Sequence, residues 1–118
     1  MTCVIVDDNA LFLESAVDLL TREGLDVVGI ASDSAEAIRL VTELRPDVTL
    51  VDIDLGDEDG FDLAQRLYAI SGASKVILVS TYAEEDLAHL IERSPALGFI
   101  AKARLSAQAI RDTLERAA

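Results

Sequence analysis

The sequence predicts an α/β fold, a doubly wound (βα)5 sandwich with helices on both faces of a five-stranded parallel sheet. Two observations carry this expectation. Five short runs of β-branched and aliphatic residues alternate with segments whose apolar residues recur at helical spacing. The runs are also apolar throughout instead of alternating with polar residues, as strands covered on both faces require. At 118 residues, 51% of them hydrophobic, the chain suits one domain with one core and does not have the composition of a disordered segment.

Each element has its own signal. Thr2-Cys3-Val4-Ile5-Val6 reads as a buried strand. Leu13, Ala16, Val17 and Leu20 then fall on one helical face, and Gly24 stands where a C-terminal cap belongs. Val27-Val28-Gly29-Ile30 is the second strand. Asp33 followed by Glu36 marks a helix start, Ile38, Val41 and Leu44 supply its face, and Pro46 stops it. Val48 to Val51 is the third strand, and Phe61, Ala64, Leu67 and Tyr68 mark the third helix. Val76-Ile77-Leu78-Val79 is the fourth strand, followed by a shorter helix marked by Leu87, Leu90 and Ile91. Gly98-Phe99-Ile100-Ala101 is the fifth strand, and Ala107, Ile110 and Leu114 mark the last helix.

Composition excludes several function classes. The formal net charge of -12 argues against direct binding to DNA, RNA or an anionic membrane, because phosphate contacts need clustered Lys and Arg. It favours basic partners, or a site that uses a cation. Were the protein to act on DNA, another domain would supply the contact. No apolar run approaches the roughly 18 residues of a membrane span. The start, "MTCVIVDDNA", lacks the basic segment of a secretory signal. The single cysteine, Cys3, excludes an intrachain disulfide and reads as a small buried hydrophobe, in keeping with a cytoplasmic location.

Ligands of open parallel sheets bind beyond the carboxyl ends of the strands. That rule brings together Asp7 and Asp8 after the first strand, Asp52 at the end of the third, Ser80 after the fourth and Lys102 after the fifth. Three carboxylates held close together repel one another, and a divalent cation relieves the repulsion. Oxygen ligands without His or Cys point to Mg²⁺. The lone His89 lies in the fourth helix pattern, remote from this edge. Lys102 and Ser80 add an ammonium and a hydroxyl. A metal, an ammonium and a hydroxyl around an aspartate suit phosphoryl transfer, with the aspartate as nucleophile.

At these residues "VIVDDNALF", "PDVTLVDIDLGDEDG", "VILVSTY" and "GFIAK" resemble the four signature segments of bacterial response-regulator receiver domains, and "LDVVGIASDSAEAIRLV" is most similar to receivers of the NarL/FixJ (LuxR-type) class. The resemblance covers residues 1–118 as a single receiver domain, with no output domain in this chain. It implies a flavodoxin-like, CheY-like sheet of order 2-1-3-4-5. It implies Asp52 as the phosphoacceptor, modified by a sensor histidine kinase. Mg²⁺ would be held by Asp8 directly, by Asp7 through water, by Asp52 and by the backbone carbonyl of Asp54. Ser80 and Lys102 would bind the phosphoryl group, and Ser80 and Phe99 would carry the switch. Phosphorylation-dependent homodimerisation and a helix-turn-helix DNA-binding output domain elsewhere are further implications. The activity would be self-catalysed phosphoryl transfer and autodephosphorylation, not metabolic catalysis.

The sequence departs from the family pattern at Asp54, whose extra carboxylate stands two past the acceptor, and at Gly56 and Ala103, where proline is common. Thr81 is bulkier than the usual residue at its place. Asp57, Glu58 and Asp59 read as a solvated turn in which Asp59 caps the third helix and Gly60 relieves the bend. Rival readings are a haloacid-dehalogenase-type phosphatase with Asp52 and Asp54 as its Asp-x-Asp pair, and a receiver-like interaction module independent of phosphorylation. A calcium loop fails on spacing: counted from Asp52, position 5 is Gly56 and position 6 is Asp57.

Overall fold

The computed structural model describes residues 1–71 and 75–117. The chain runs β1 (Thr2–Val6), α1 (Ala10–Arg22), β2 (Asp26–Ala31), α2 (Ser34–Leu44), β3 (Val48–Asp52), α3 (Gly60–Ser71), β4 (Lys75–Ser80), α4 (Glu84–Arg93), β5 (Gly98–Ala101) and α5 (Ala107–Ala117), with a 3-10 turn at Lys102–Arg104. The strands form one parallel sheet in the order β2-β1-β3-β4-β5, which is the predicted order. The order reverses direction between β1 and β3, so their carboxyl ends open the crevice in which such sheets place ligands.

Alternation along each strand divides the core in two. Cys3, Ile5, Leu50, Ile77, Val79 and Ile100 meet Leu13, Ala16, Leu20 and Ile110 of α1 and α5. Val4, Val6, Val51, Leu78 and Phe99 meet Ala37, Val41, Leu63, Ala64 and Leu67 of α2 and α3. Cys3 is fully buried, and burial pushes its thiol up to about 12, so it packs as a hydrophobe.

Local chemistry sets the helix ends, at Gly24, Asp33 and Pro46 where the sequence suggests, and at Asn9 and before α5 where only the structure shows it. Asn9 caps α1, its side chain accepting the N–H groups of Leu11 and Phe12. At the other end Gly24 takes φ +96°, and the N–H of Leu25 donates to the Leu20 carbonyl at 2.9 Å, a left-handed glycine cap. Asp33 caps α2 by accepting the Glu36 N–H at 2.8 Å. Before Pro46, Arg45 adopts φ 45° to end that helix. The α5 start is capped twice. Ser106 Oγ accepts from the Ala109 N–H at 2.9 Å, and Glu23, arriving from the end of α1, accepts from the Ala107 N–H at 2.8 Å.

Four sequence expectations are corrected. Strand β2 lies at the sheet edge and is covered unevenly: Ile30 is 45% exposed, and Val28 is skipped by the irregular pairing that matches Cys3 with Val27 and Val4 with Gly29. On α3, Tyr68 points outward at 55% exposure, and the inward positions belong to Leu63, Ala64 and Leu67. On α4, Leu90 is exposed and no residue is fully buried; only Leu87 and Ile91 pack against the core. The run after β3 is more than a solvated turn, because Asp54–Leu55 and Glu58–Asp59 pair as a short antiparallel ribbon. Asp59 does cap α3, accepting the Phe61 N–H at 2.9 Å. Glu58 reaches across to accept the Ser34 N–H at the start of α2, at 2.8 Å.

Candidate functional site

Three strand ends and the turn after β5 deliver the predicted residues to one place. Asp7 follows β1 and is fully buried; Asp52 closes β3 and is 5% exposed; Ser80 closes β4 and is 1% exposed. Asp8 is exposed at the rim. Carboxylate oxygens of Asp7, Asp8 and Asp52 lie within 4.8 Å of one another. The Lys102 Nζ stands 2.7 Å from Asp7 Oδ2 and 3.2 Å from Asp52 Oδ2. Four of the five residues expected at the strand ends are thus in one electrostatic cluster, and Ser80 lies beside Asp52 because Asp52 pairs with Val79 in the sheet.

The charges do not balance. Three carboxylates face one ammonium. Burial, and then the charge of Asp7, raise the Asp52 carboxyl from 3.8 to about 6, against the lowering effects of the Asp54 N–H and Lys102. Burial alone would pull Lys102 down, but its hydrogen bonds and attraction to Asp7 and Asp52 prevail and hold it above the usual lysine value. A pocket of hard oxygen donors with uncompensated negative charge fits a divalent cation such as Mg²⁺. The donor set passes that test without His or Cys.

Other residues set the orientation. Asp7 Oδ1 accepts the Asn9 N–H at 2.8 Å. Asp52 Oδ1 accepts the Asp54 N–H at 3.2 Å, while the Asp54 side chain accepts the Gly56 N–H at 3.2 Å. The extra carboxylate of Asp54 is therefore turned back on its own loop, which weighs against the acid/base role an Asp-x-Asp phosphatase would require. Gly56 has φ +71°, a conformation closed to proline. A Cβ added there would meet Asp8 Oδ2 at 3.2 Å. The Lys102–Ala103 bond is trans, as are the other peptide bonds described. Ser80 Oγ accepts the Tyr82 N–H at 3.0 Å and so ties down the loop entering α4. Phe99 is 8% exposed and packs on the α2–α3 side of the sheet. Thr81 and His89 are exposed, and His89 lies outside the carboxylate cluster.

Three contributors were not legible as site residues. Asn9 fixes Asp7 while capping α1; its place just before a helical pattern signals only the cap. Phe12 lies under Lys102, with Nζ 4.3 Å from the ring centroid. The sequence suggests turn relief for Gly60, yet its φ is not positive. Its role is close approach: a Cβ there would collide with the Asp52 carbonyl, and the Gly60 N–H donates to the Ile53 carbonyl at 2.8 Å. The helix start is thereby pressed against the backbone of the buried aspartate.

Comparison with known proteins agrees with this fold. The family description "Response regulator receiver domain" matches residues 3–115. A protein-glutamate methylesterase/protein-glutamine glutaminase of Methanospirillum hungatei is 34% identical over 100 residues, covering 83% of this chain and 29% of that protein. The transcriptional regulatory protein LiaR of Bacillus subtilis is 28% identical over 115 residues, covering 97% of this chain and 54% of that protein. The chain therefore spans under a third of the first relative and about half of the second. Among solved structures, the signal receiver domain of the response regulator NarL from Mycobacterium tuberculosis superposes with a TM-score of 0.84 at 30% identity, over 98% of this chain and 94% of that one.

Proposed function

The chain belongs to the response regulator receiver domain family, and from that premise we propose that it is a phosphorylation switch with Asp52 as phosphoacceptor and the phosphohistidine of a sensor histidine kinase as donor. The observation that carries this reading is the buried Asp52 carboxylate at the carboxyl end of β3, with Asp7, Asp8, Ser80 and Lys102 around it. An Asp52 oxygen forms a bond to phosphorus as the nitrogen–phosphorus bond breaks, and the electron pair returns to the imidazole. Lys102 already touches the Asp52 carboxylate and is placed to follow the charge onto the phosphoryl oxygens. Ser80 spends an acceptor site on Tyr82 and keeps its own proton for donation. Asp8, Asp52 and the Asp54 carbonyl, with Asp7 through water, would hold Mg²⁺, which when bound supplies further positive charge to the transferring oxygens. Hydrolysis of the acyl phosphate returns the carboxylate and inorganic phosphate, and the switch resets.

Two features support a conformational readout through Ser80, Phe99 and α4. The loop entering α4 is tied to Ser80, and α4 is the loosest of the helices among the described residues, with no fully buried side chain and no side-chain cap at Ala83. When Ser80 moves toward a phosphoryl group to donate its proton, the loop tied to it follows, and Phe99 turns into the space released. The similarity to a transcriptional regulatory protein favours a separate DNA-binding output controlled from this domain. The similarity to a methylesterase admits an enzymatic output instead. No described helix is long and apolar enough to cross a membrane. In this reading the receiver domain occupies residues 1–118, works in the cytoplasm and forms a homodimer when phosphorylated.

The test is the intact mass after incubation with Mg²⁺ and a small acyl-phosphate donor. We expect one phosphoryl adduct that is absent in Asp52→Asn. An unmodified wild-type protein would refute the reading and favour an interaction module independent of phosphorylation; continuous turnover of phosphate esters would favour a phosphatase.

A further inference from the structure

We infer that Phe12 is a positioning residue for the Lys102 ammonium, and that its ring holds the lysine over the carboxylate pair while leaving it free to follow a transferring phosphoryl group. The Lys102 Nζ lies 4.3 Å from the Phe12 ring centroid, well within the reach of a cation–π attraction. The ammonium is therefore held by two carboxylates, Asp7 at 2.7 Å and Asp52 at 3.2 Å, and by one aromatic face.

The ring is itself fixed. Its residue lies in the first turn of α1, and the Phe12 N–H donates to Asn9 Oδ1 at 3.2 Å. The Asn9 N–H donates to Asp7 Oδ1 at 2.8 Å, and Asp7 Oδ2 closes the loop onto Lys102. Asp7, Asn9, Phe12 and Lys102 thus form a closed circuit that joins the helix cap to the site. Phe12 also packs on the apolar cluster under α1 and α5, so the ring cannot swing away without disturbing that core.

The circuit solves a mechanical problem. A hydrogen bond to a carboxylate is directional and would tether the ammonium to one oxygen. The ring face is not directional in that way. Lys102 can exchange Asp52 for a phosphoryl oxygen while it keeps Asp7 and the ring. A leucine would preserve the apolar packing and remove the quadrupole. A tryptophan would restore the face, and with it the strongest of the aromatic attractions.

The kinetic half of the inference rests on Asp52 being the phosphoacceptor; the contact itself does not. Proton NMR of the Mg²⁺-free protein reads the contact alone. The Lys102 ε-methylene protons should lie upfield of ordinary lysine in wild type, lose that displacement in Phe12→Leu and regain it in Phe12→Trp. Modification by an acyl-phosphate donor reads the consequence. The maximal rate should fall roughly three- to tenfold in Phe12→Leu and return to within about twofold in Phe12→Trp, with the donor concentration for half-maximal rate unchanged. Thermal melts of each variant confirm folding. An ordinary Lys102 position in wild type would overturn the inference, as would a wild-type maximal rate in Phe12→Leu. A wild-type protein that shows the displaced lysine but no adduct would sink the phosphoacceptor reading and leave the contact established.

Discussion

Asp52 should make the metal-free protein less stable at neutral pH than it would be with a neutral side chain in its place. Burial and the Asp7 charge raise its carboxyl from 3.8 to about 6. Raising a carboxyl means that the fold penalises the ionised form. Between these two values the native state binds more protons than the unfolded chain, so stability falls as pH rises through that window. Above about 6 the full penalty is present; below about 4 it has vanished. The displacement corresponds to roughly 3 kcal/mol. Asp52→Asn removes that penalty, which is already net of the attraction to Lys102, 3.2 Å away. The expectation at pH 7 is a gain of ~2–3 kcal/mol, or roughly 8–12 °C in melting temperature for a domain of this size. The assay is thermal or urea denaturation with chelator present, from pH 4 to pH 8, repeated with Mg²⁺. The gap between Asp52→Asn and wild type should close toward pH 4, and it should narrow at pH 7 with Mg²⁺. A variant less stable than wild type at pH 7 would refute the reasoning, because the ion pair would then outweigh the cost of burial. A gap independent of pH would refute it too.

The same electrostatics make Lys102 costly to lose. Lys102→Met leaves Asp7 and Asp52 without their cation and should destabilise the protein by about 3 kcal/mol at pH 7; urea melts should show that loss shrinking as pH falls through about 6, where Asp52 takes up a proton. Mg²⁺ should raise the melting temperature of wild type in a saturable way, and Asp8→Asn, at the exposed rim of the cluster, should abolish most of that rise. Gly60→Ala forces a Cβ into the Asp52 carbonyl; a loss of about 2 kcal/mol or more, with slowed modification of Asp52, is expected from melts and adduct kinetics. Gly98→Ala drives a Cβ into the Thr113 methyl of α5 and should cost roughly 1–3 kcal/mol, with part of it recovered in the double variant carrying Thr113→Ser.

Where sequence and structure part company, the cause lies in what each kind of signal encodes. Periodicity placed all five strands and all five helices, because burial on two faces leaves a run of apolar residues whatever the strand's partners are. It misassigned Tyr68 and Leu90, because a helical face spans more positions than the core covers: at α3 the contact settles on Leu63 and Leu67, and α4 hardly docks. It gave β2 a covered face because an edge strand has the same composition as a central one. Glu58 looked like part of a solvated turn, since nothing local to it announces that Ser34, 24 positions away, will offer an N–H.

The sequence by itself determined the architecture and the chemical inventory: alternating strand and helix patterns, carboxylates at two strand ends, a hydroxyl at a third and an ammonium after a fourth. Those follow from composition and spacing, which are properties of the chain. Only the tertiary structure decided how the inventory is wired. It set Lys102 nearer Asp7 than Asp52, turned Asp54 back on its own loop, pressed Gly60 against the Asp52 carbonyl and slid Phe12 beneath the ammonium. Distances between residues remote in sequence depend on how helices and strands pack, and the strength of a charge depends on how deeply that packing buries it.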